Sequence, residues 1–181
     1  TAVDYTADML EKAKANTKEY QSQIEFYRMD AQNLGFENNQ FDVVISRNLT
    51  WNLENPVQAY KEWFRVLKKE GVLLNFDANW YGYLYDEEKR MAYEKDRENV
   101  ERSQLDDHYL CTDIDRMEEI AKKVPLSAKN RPGWDEKVLK EIGFAEIRTD
   151  ERIWQSVWSE EERLNYASTP MFLVSGQKGE N

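Results

Sequence analysis

Residues 41–46 have the sequence Phe41-Asp42-Val43-Val44-Ile45-Ser46, which is apolar and rich in β-branched side chains. Such a run is typical of a central strand in a parallel sheet that is covered on both faces. Three other segments are predicted strands, and two are predicted helices. The strands are Thr1–Tyr5, Ile24–Met29 and Val72–Asp77, and the helices are Ala7–Asn16 and Pro56–Leu67. This alternation predicts right-handed crossovers and therefore an α/β fold with a mostly parallel sheet.

The ends of the two helices carry recognisable signals. Thr6 is expected to cap the start of the first helix, and Gly71 is expected to take the left-handed conformation that ends the second. The pattern changes after residue 80. Residues 81–131 are predicted to form a helical insertion or substrate lid, and residues 132–181 return to a helix, a strand, a short helix and a last strand. We therefore expect a core made of residues 1–80 and 132–181.

The composition excludes several classes of protein. The formal net charge is -10, and a negative surface disfavours nucleic acid or an anionic membrane as partner. Cys111 and His108 are the only residues of their types, so neither an intrachain disulfide nor a metal site is expected. No apolar run approaches the roughly 20 residues that span a bilayer, and no signal peptide is recognisable. A cytoplasmic protein is the resulting expectation.

Two predicted strands end in an acid. Asp4 ends the first and Asp30 follows the second. Ligands of parallel sheets bind at the carboxyl ends of the strands, where one carboxylate can accept hydrogen bonds from both ribose hydroxyls and the other can bind the amine of an adenine. A purine nucleoside therefore fits this edge. Each acid also has a purely structural interpretation, since Asp4 could cap the following helix and Asp30 could cap a turn.

Four segments, in order, resemble motifs of the class I (Rossmann-like) S-adenosylmethionine-dependent methyltransferases. They are Val3–Ala13, Asp30–Phe36, Phe41–Ser46 and Arg65–Leu73, the last with Glu70 where the family more often has proline or glycine. The resemblance covers roughly residues 1–78. It implies a Rossmann-like sheet with an antiparallel last strand, a helical insertion after the fifth strand, and S-adenosyl-L-methionine as the cofactor.

The resemblance also implies roles for individual residues. Asp4 would bind the ribose hydroxyls, and Asp30 and Ala31 would hold the adenine. Tyr5 and Met9 would pack near the adenine or ribose, and Asn48 would lie beside the methionine part of the cofactor.

The segment from Asn48 to Asn52 would line the site of methyl transfer. The candidate substrate-binding residues are Trp51, Asn52, Asn79 and Trp80. Tyr81 and His108 are candidates for a catalytic role, because histidine titrates near neutral pH and both lie in or beside the insertion. The alternatives are that Trp51 is a core aromatic side chain and that His108 is a surface residue.

The family's glycine-rich cofactor loop is not recognisable. None of the seven glycines belongs to a G-x-G pattern, and the resemblance implies that the sequence begins at the family's second strand. In the family the preceding strand lies between the strands predicted at Thr1–Tyr5 and Phe41–Ser46. We therefore expect either a gap in the sheet or direct pairing of those two strands, and a homodimer could complete the sheet.

Three functions remain open from the sequence. The leading interpretation is a methyltransferase that acts on a small-molecule acceptor by direct displacement. An acid after the second strand would also suit an NAD-dependent oxidoreductase. The third possibility is a catalytically inactive, truncated methyltransferase-like chain that serves as an oligomerising or interaction module.

Overall fold

A computed structural model describes residues 1–110 and 112–179, so Cys111 and the last two residues of the predicted core lie outside the described residues. The strands are β1 (Ala2–Asp4), β2 (Phe26–Arg28), β3 (Phe41–Arg47), β4 (Leu67–Asp77), β5 (Phe144–Asp150) and β6 (Phe172–Lys178). The helices are α1 (Ala7–Asn16), α2 (Pro56–Val66), α3 (Glu87–Glu101), α4 (Ile114–Ala121), α5 (Gly133–Ile142), α6 (Trp154–Val157) and α7 (Glu160–Asn165). Short 3-10 turns lie at Lys18–Gln23, Thr50–Asn52 and Gly82–Leu84. In this part of the chain, no helix is both long and apolar enough to cross a bilayer.

The strands form two separate sheets. β1 and β2 pair in parallel, while the second sheet has the order β3-β4-β6-β5. β3 and β4 are parallel, and β6 runs antiparallel to both β4 and β5. The predicted α/β fold with an antiparallel last strand is therefore confirmed, and the helical segments α3 and α4 follow β4 as expected.

Among the described residues, no strand pairing joins β1 to β3, so the predicted gap is present and direct pairing is not. β3 is consequently an edge strand. The side chain of Val44 packs against the core, but Val43 is 47% exposed and Ile45 is 66% exposed. The expectation that this strand is covered on both faces is wrong, because α2 and α5 belong to a core on one face only.

The core lies between the four-stranded sheet and the helix pair α2 and α5. α2 buries side chains at helical spacing, and these meet apolar residues of β4, β6 and α5. The buried cluster includes Ala59, Tyr60, Trp63, Leu67, Leu73, Leu139, Phe172 and Val174. Burial of this apolar stripe fixes α2 against the sheet, with its N-terminus close to the loop that follows β3.

The end of α2 differs from the prediction. Glu70, with φ 59°, takes the left-handed conformation that was expected of Gly71. A Cβ atom at Gly71 would lie 2.8 Å from the carbonyl oxygen of Lys68, so the glycine is needed for close packing and not for a positive φ. The side chain of Lys178 replaces the expected cap, since its Nζ donates to the carbonyl oxygens of Phe64 at 2.8 Å and Leu67 at 2.7 Å.

An ion pair on α2 holds the loop that follows β2. Arg65 binds Glu62 through two nitrogens, and it also donates to the carbonyl oxygens of Leu34 at 2.8 Å and Phe36 at 2.7 Å. Glu62 Oε2 in turn accepts from the backbone N–H of Leu34 at 2.9 Å. The Arg65 guanidinium, against the opposing effect of burial, lowers the pKa of the Glu62 carboxyl. The loop is thereby attached to α2 on both its carbonyl and its amide side.

We expect this ion pair to make stability depend on pH. A carboxyl whose pKa is lowered by folding stabilises the protein above its usual value of 4.5, and this stabilisation is lost as the pH falls through the lowered pKa. Arg65→Gln should therefore lower the free energy of unfolding by about 1 to 2 kcal/mol at pH 7, since both side chains are partly exposed. Urea denaturation measured between pH 3 and pH 7 tests this.

The loss in Arg65→Gln should shrink as the pH falls through the lowered pKa of Glu62, because the protonated carboxyl no longer attracts the guanidinium. Lys14→Gln is the control, because its pairing with Glu11 lies on the surface and should matter little. A loss that stays constant with pH would show that Arg65 acts only through the loop carbonyls.

Candidate functional site

The structure places Asp4 and Asp30 at neighbouring strand ends. β1 and β2 are paired so that Asp4 lies opposite Arg28, and the Met29 N–H donates to the Asp4 carbonyl oxygen at 3.0 Å. Asp30 is the next residue along the chain. The two carboxylates therefore follow adjacent parallel strands at one edge of the small sheet, as the sequence predicts.

Asp4 has a structural contact as well as a free oxygen. Its Oδ1 accepts from the backbone N–H of Thr6 at 2.8 Å and from the Thr6 hydroxyl at 2.9 Å. Thr6 is the N-cap residue of α1, but its side chain makes no capping hydrogen bond, so the expected Thr6 cap is replaced by this turn. Within residues 1–110 and 112–179, no hydrogen bond uses Asp4 Oδ2, which is therefore available to a ligand.

Asp30 closes a turn, as its structural interpretation allows. Its Oδ1 accepts from the backbone N–H of Gln32 at 2.8 Å and from the Gln32 side chain at 3.1 Å. The carbonyl oxygen of Ala31 accepts from Trp63 Nε1 at 3.1 Å, and Gln32 Oε1 accepts from the N–H of Asn55 at 2.6 Å. Contacts with α2 and its N-cap thus fix the position of this segment.

Tyr5 and Met9 lie beside Asp4 on the surface of the small sheet and α1. Tyr5 is 68% exposed and Met9 is 52% exposed, whereas Leu10 is the buried residue of α1. Large apolar side chains next to an open carboxylate are compatible with contact to the flat face of a nucleoside. Their role in cofactor binding stays a prediction.

Asn48 occupies a sharp turn after β3. Its φ is 54°, a left-handed conformation that asparagine tolerates better than most residues. Its N–H donates to the carbonyl oxygen of Phe76 at 2.9 Å, and its own carbonyl oxygen accepts from Trp51 Nε1 at 3.1 Å. The turn thereby positions the half-buried Trp51, which is not the fully buried core residue of the alternative interpretation.

Three of the four candidate substrate residues meet at one place. Trp51, Asn79, Trp80 and Tyr81 line a small depression beside the end of β4 that is too narrow to hold a water molecule. The rings of Trp51 and Tyr81 are 5.3 Å apart at a tilt of 38°. Asn52 does not line this depression, and its N–H bonds to the Leu49 carbonyl oxygen at 3.3 Å instead.

A buried charge network lies under the depression. Arg131 Nη1 donates to Asp77 Oδ2 at 3.0 Å, and Arg131 also binds Asp135 through Nε at 2.9 Å and Nη2 at 2.8 Å. The three side chains are fully shielded from solvent. Burial alone would lower the pKa of Arg131, but attraction to Asp77 and Asp135 outweighs it and raises this pKa above its usual value.

Neutral polar side chains complete the network. Thr50 donates to Asp77 and accepts from Arg131 Nη2 at 2.7 Å, while Tyr60 donates to Asp135 at 2.6 Å. Asn75 donates to the Tyr60 hydroxyl at 2.9 Å. Sequence reasoning missed this network. The only local signal is the spacing of Arg131 and Asp135, which are four residues apart at the start of a helix.

Asp77 uses both of its carboxylate oxygens to position the aromatic side chains above it. Oδ2 accepts from the Trp51 N–H at 2.9 Å, and Oδ1 accepts from Trp80 Nε1 at 3.1 Å and from the Ala78 N–H at 2.9 Å. Asp77 is therefore a positioning residue for Trp51 and Trp80.

The two candidate catalytic residues differ in setting. Burial, with the nearby Tyr93 and Glu118, raises the pKa of Tyr81 to about 12. Tyr81 is consequently protonated at neutral pH and is a hydrogen-bond donor, not a base. His108 has both ring nitrogens engaged, Nδ1 with the Tyr166 hydroxyl at 2.8 Å and Nε2 with Glu161. His108 is exposed, in agreement with its surface interpretation, and its ring joins the insertion to α7.

Removal of Arg131 should destabilise the whole domain. Arg131→Met leaves Asp77 and Asp135 buried without a counter-charge, so we expect the free energy of unfolding to fall by about 3 to 5 kcal/mol. Urea denaturation followed by tryptophan fluorescence measures this. Arg148→Met is the control, because its side chain is 79% exposed in an ion pair with Glu146. Equal losses in the two variants would contradict the assigned role of Arg131.

Known protein sequences resemble the N-terminal part of the chain. Residues 1–75 match the family described as "Methyltransferase domain". The demethylmenaquinone methyltransferase of Leptospira interrogans serogroup Icterohaemorrhagiae is 41% identical over 81 residues, which are 43% of this chain and 32% of that protein. The enzyme of the same name from Staphylococcus haemolyticus is 38% identical over 79 residues, covering 44% and 33% of the two chains. The matches thus span about a third of the curated relatives.

Solved structures match nearly the whole chain. Phosphoethanolamine N-methyltransferase 2 of Haemonchus contortus, solved with S-adenosyl-L-methionine, aligns with a TM-score of 0.61 at 18% identity, over 98% of this chain and 43% of that one. The CurJ carbon methyltransferase aligns with a TM-score of 0.61 at 18% identity, over 98% and 41% of the two chains. Residues 1–75 therefore resemble the methyltransferase-domain family, and the chain as a whole shares the Rossmann-like fold of these solved methyltransferase structures.

Proposed function

We propose that the protein functions as an S-adenosylmethionine-dependent methyltransferase with a small-molecule acceptor. The observation that carries the proposal is the placement of Asp4 and Asp30 at adjacent carboxyl ends of β1 and β2. The family match over residues 1–75 and the relatives named demethylmenaquinone methyltransferases support this function over that of an NAD-dependent oxidoreductase. A cytoplasmic location belongs to the same proposal.

The residues present fit the adenosine half of S-adenosylmethionine. Asp4 Oδ2 is free to accept hydrogen bonds from ribose hydroxyls, and the exposed Tyr5 and Met9 offer apolar surface beside it. In the described residues, no hydrogen bond occupies the backbone N–H of Ala31, which is the group proposed to bind the adenine. Asn48 is the residue proposed for the methionine half. The sequence contains no G-x-G segment for that half.

Methyl transfer is a direct displacement in which the cofactor supplies the electrophilic methyl group. The protein therefore contributes chiefly proximity and alignment. The backbone N–H of Trp51 and the indole of Trp80 are held by Asp77, and these two aromatic side chains are proposed to orient an acceptor. Tyr81 keeps its proton at neutral pH and is proposed to orient the acceptor by donating a hydrogen bond.

We expect cofactor binding to depend on Asp4. Asp4→Ala should weaken the binding of S-adenosylhomocysteine by about 10- to 100-fold, which corresponds to the loss of a hydrogen bond to a charged group. Isothermal titration calorimetry measures this. Asp8→Ala is the matched control, because Asp8 is an exposed acid in the first turn of the adjacent α1.

The same titration is to be run on a version extended at its N-terminus by a first strand and glycine-rich loop of family type. The proposed cofactor site is wrong if, in both versions, Asp4→Ala binds S-adenosylhomocysteine as tightly as the wild type does. It is also wrong if neither version binds S-adenosylhomocysteine at all.

A second candidate function is that of an interaction module. It is favoured by the unpaired edge of β3, where Val43 and Ile45 are exposed. Open strand edges with apolar side chains promote pairing between chains. If a homodimer completes the sheet, sedimentation velocity should show a dimer, and Ile45→Lys should convert it to a monomer. A monomer at all concentrations would exclude this candidate.

A further inference from the structure

A cleft of about 150 Å³ opens between the start of the insertion and the segment that leads into β6. Its polar lining comes from both sides and consists of Asn79, Tyr83, Lys89, Glu151, Ser168 and Thr169. Asn79 also lines the depression that contains Trp51 and Trp80. The cleft and the proposed transfer site therefore share Asn79 as a wall.

The base of the cleft carries no free positive charge. Arg131 is among its lining residues, but this guanidinium is bound to both Asp77 and Asp135. Two carboxylates thus share one guanidinium. A purely anionic ligand gains nothing from Arg131, because the local charge beneath the cleft is already negative.

A buried hydroxyl at the cleft lacks a partner. Tyr83 is only 4% exposed, and its hydroxyl makes no hydrogen bond within the described parts of the chain. Leaving a buried polar group unpaired costs free energy, so such a group in a native fold requires an explanation. Burial, together with Tyr93, raises the pKa of Tyr83, so the hydroxyl keeps its proton and is a hydrogen-bond donor.

Two opposite charges face the cleft and are not paired. Lys89 at the start of α3 and Glu151 after β5 both line it. Between residues 1 and 179, Cys111 apart, neither takes part in an ion pair, and they do not pair with each other. Both are long, exposed side chains in the lining of the same cleft. A ligand that satisfies both must carry a negative group and a positive group.

The volume limits the ligand further. A cavity of about 150 Å³ accommodates a molecule the size of benzene, with six non-hydrogen atoms. We propose that this cleft binds a zwitterion of the size of a small α-amino acid, with its carboxylate toward Lys89, its ammonium group toward Glu151 and the Tyr83 hydroxyl as a further donor. The assignment of this zwitterion as the methyl acceptor rests on the proposed function. The binding of the zwitterion to the cleft is independent of that function.

An apolar ligand would not account for these groups. It would leave the Tyr83 hydroxyl unpaired and would remove Lys89 and Glu151 from water without compensation. A small amine would satisfy Glu151 but not Lys89, and a carboxylate would do the reverse. The three ligand classes therefore differ in which side chains they need, and that difference can be measured.

The test is an NMR titration of the full chain labelled with ¹⁵N, without cofactor. The probes are L-alanine, acetate and ethylammonium, which carry both charges or one charge each. L-alanine should shift the backbone amide signals of Ser168 and Thr169 in a saturable manner. Acetate and ethylammonium should bind at least about tenfold more weakly, since each loses one charge-assisted interaction.

Variants locate the binding site. Lys89→Gln and Glu151→Gln should each weaken alanine binding by at least about tenfold, and Tyr83→Phe by about fivefold. Lys95→Gln is the matched control, because Lys95 lies on the same helix and pairs with Glu98 on the surface. Tyr83→Phe removes a single oxygen atom, and a thermal melt verifies that the variant is folded.

The titrations and the variants together test whether the cleft binds a zwitterion. The proposal is overturned if alanine causes no saturable shift at the cleft, if the variants bind it as wild type does, or if ethylammonium binds as tightly. Because the titration omits the cofactor, it is independent of the Asp4 experiment. If alanine binds and S-adenosylhomocysteine does not, the methyltransferase proposal is wrong and the zwitterion site stands. If S-adenosylhomocysteine binds and alanine does not, the zwitterion site is wrong and the methyltransferase proposal stands.

Discussion

The buried charge of Arg131 is the constraint on which the rest of the structure depends. It binds Asp77 at the end of β4 and Asp135 on α5, and it donates to Thr50 in the loop after β3. A charge in the interior is tolerated only with partners, so these three segments have to meet for the domain to fold. The last residues of the insertion, the central strand and the loop of the proposed transfer site are thereby joined by one side chain.

The polar side chains of Asp77 and His108 are engaged in hydrogen bonds within the protein. Both oxygens of Asp77 are occupied by donors, and both nitrogens of His108 are occupied by Glu161 and Tyr166. Side chains so engaged hold their hydrogen-bond partners in place. An acceptor in this site would therefore gain mainly from orientation, which agrees with the modest chemical demands of a direct displacement.

Much of the fold could be predicted from local pattern alone. The bounds of α1 agree with the sequence prediction, because its hydrophobic periodicity lies within the helix itself. The network around Arg131 could not be predicted from local pattern, because its partner Asp77 is 54 residues away in the sequence. The same limit explains the errors at β3 and Gly71, where the packing of the helices on one face and the close approach of Lys68 depend on tertiary structure. The cofactor and substrate roles of the candidate residues remain predictions.

The division into two sheets gives α2 a role that a continuous sheet would not require. The acids proposed for the adenosine lie on the β1–β2 pair, and the proposed acceptor surface lies on the four-stranded sheet. No described backbone pairing connects the two, so the contacts of Trp63 with Ala31 and of Arg65 with the following loop help to set their relative position. Displacement needs its two reactants aligned within a fraction of an ångström. The packing of α2 against both parts is therefore as important to the proposed reaction as any residue that touches a ligand.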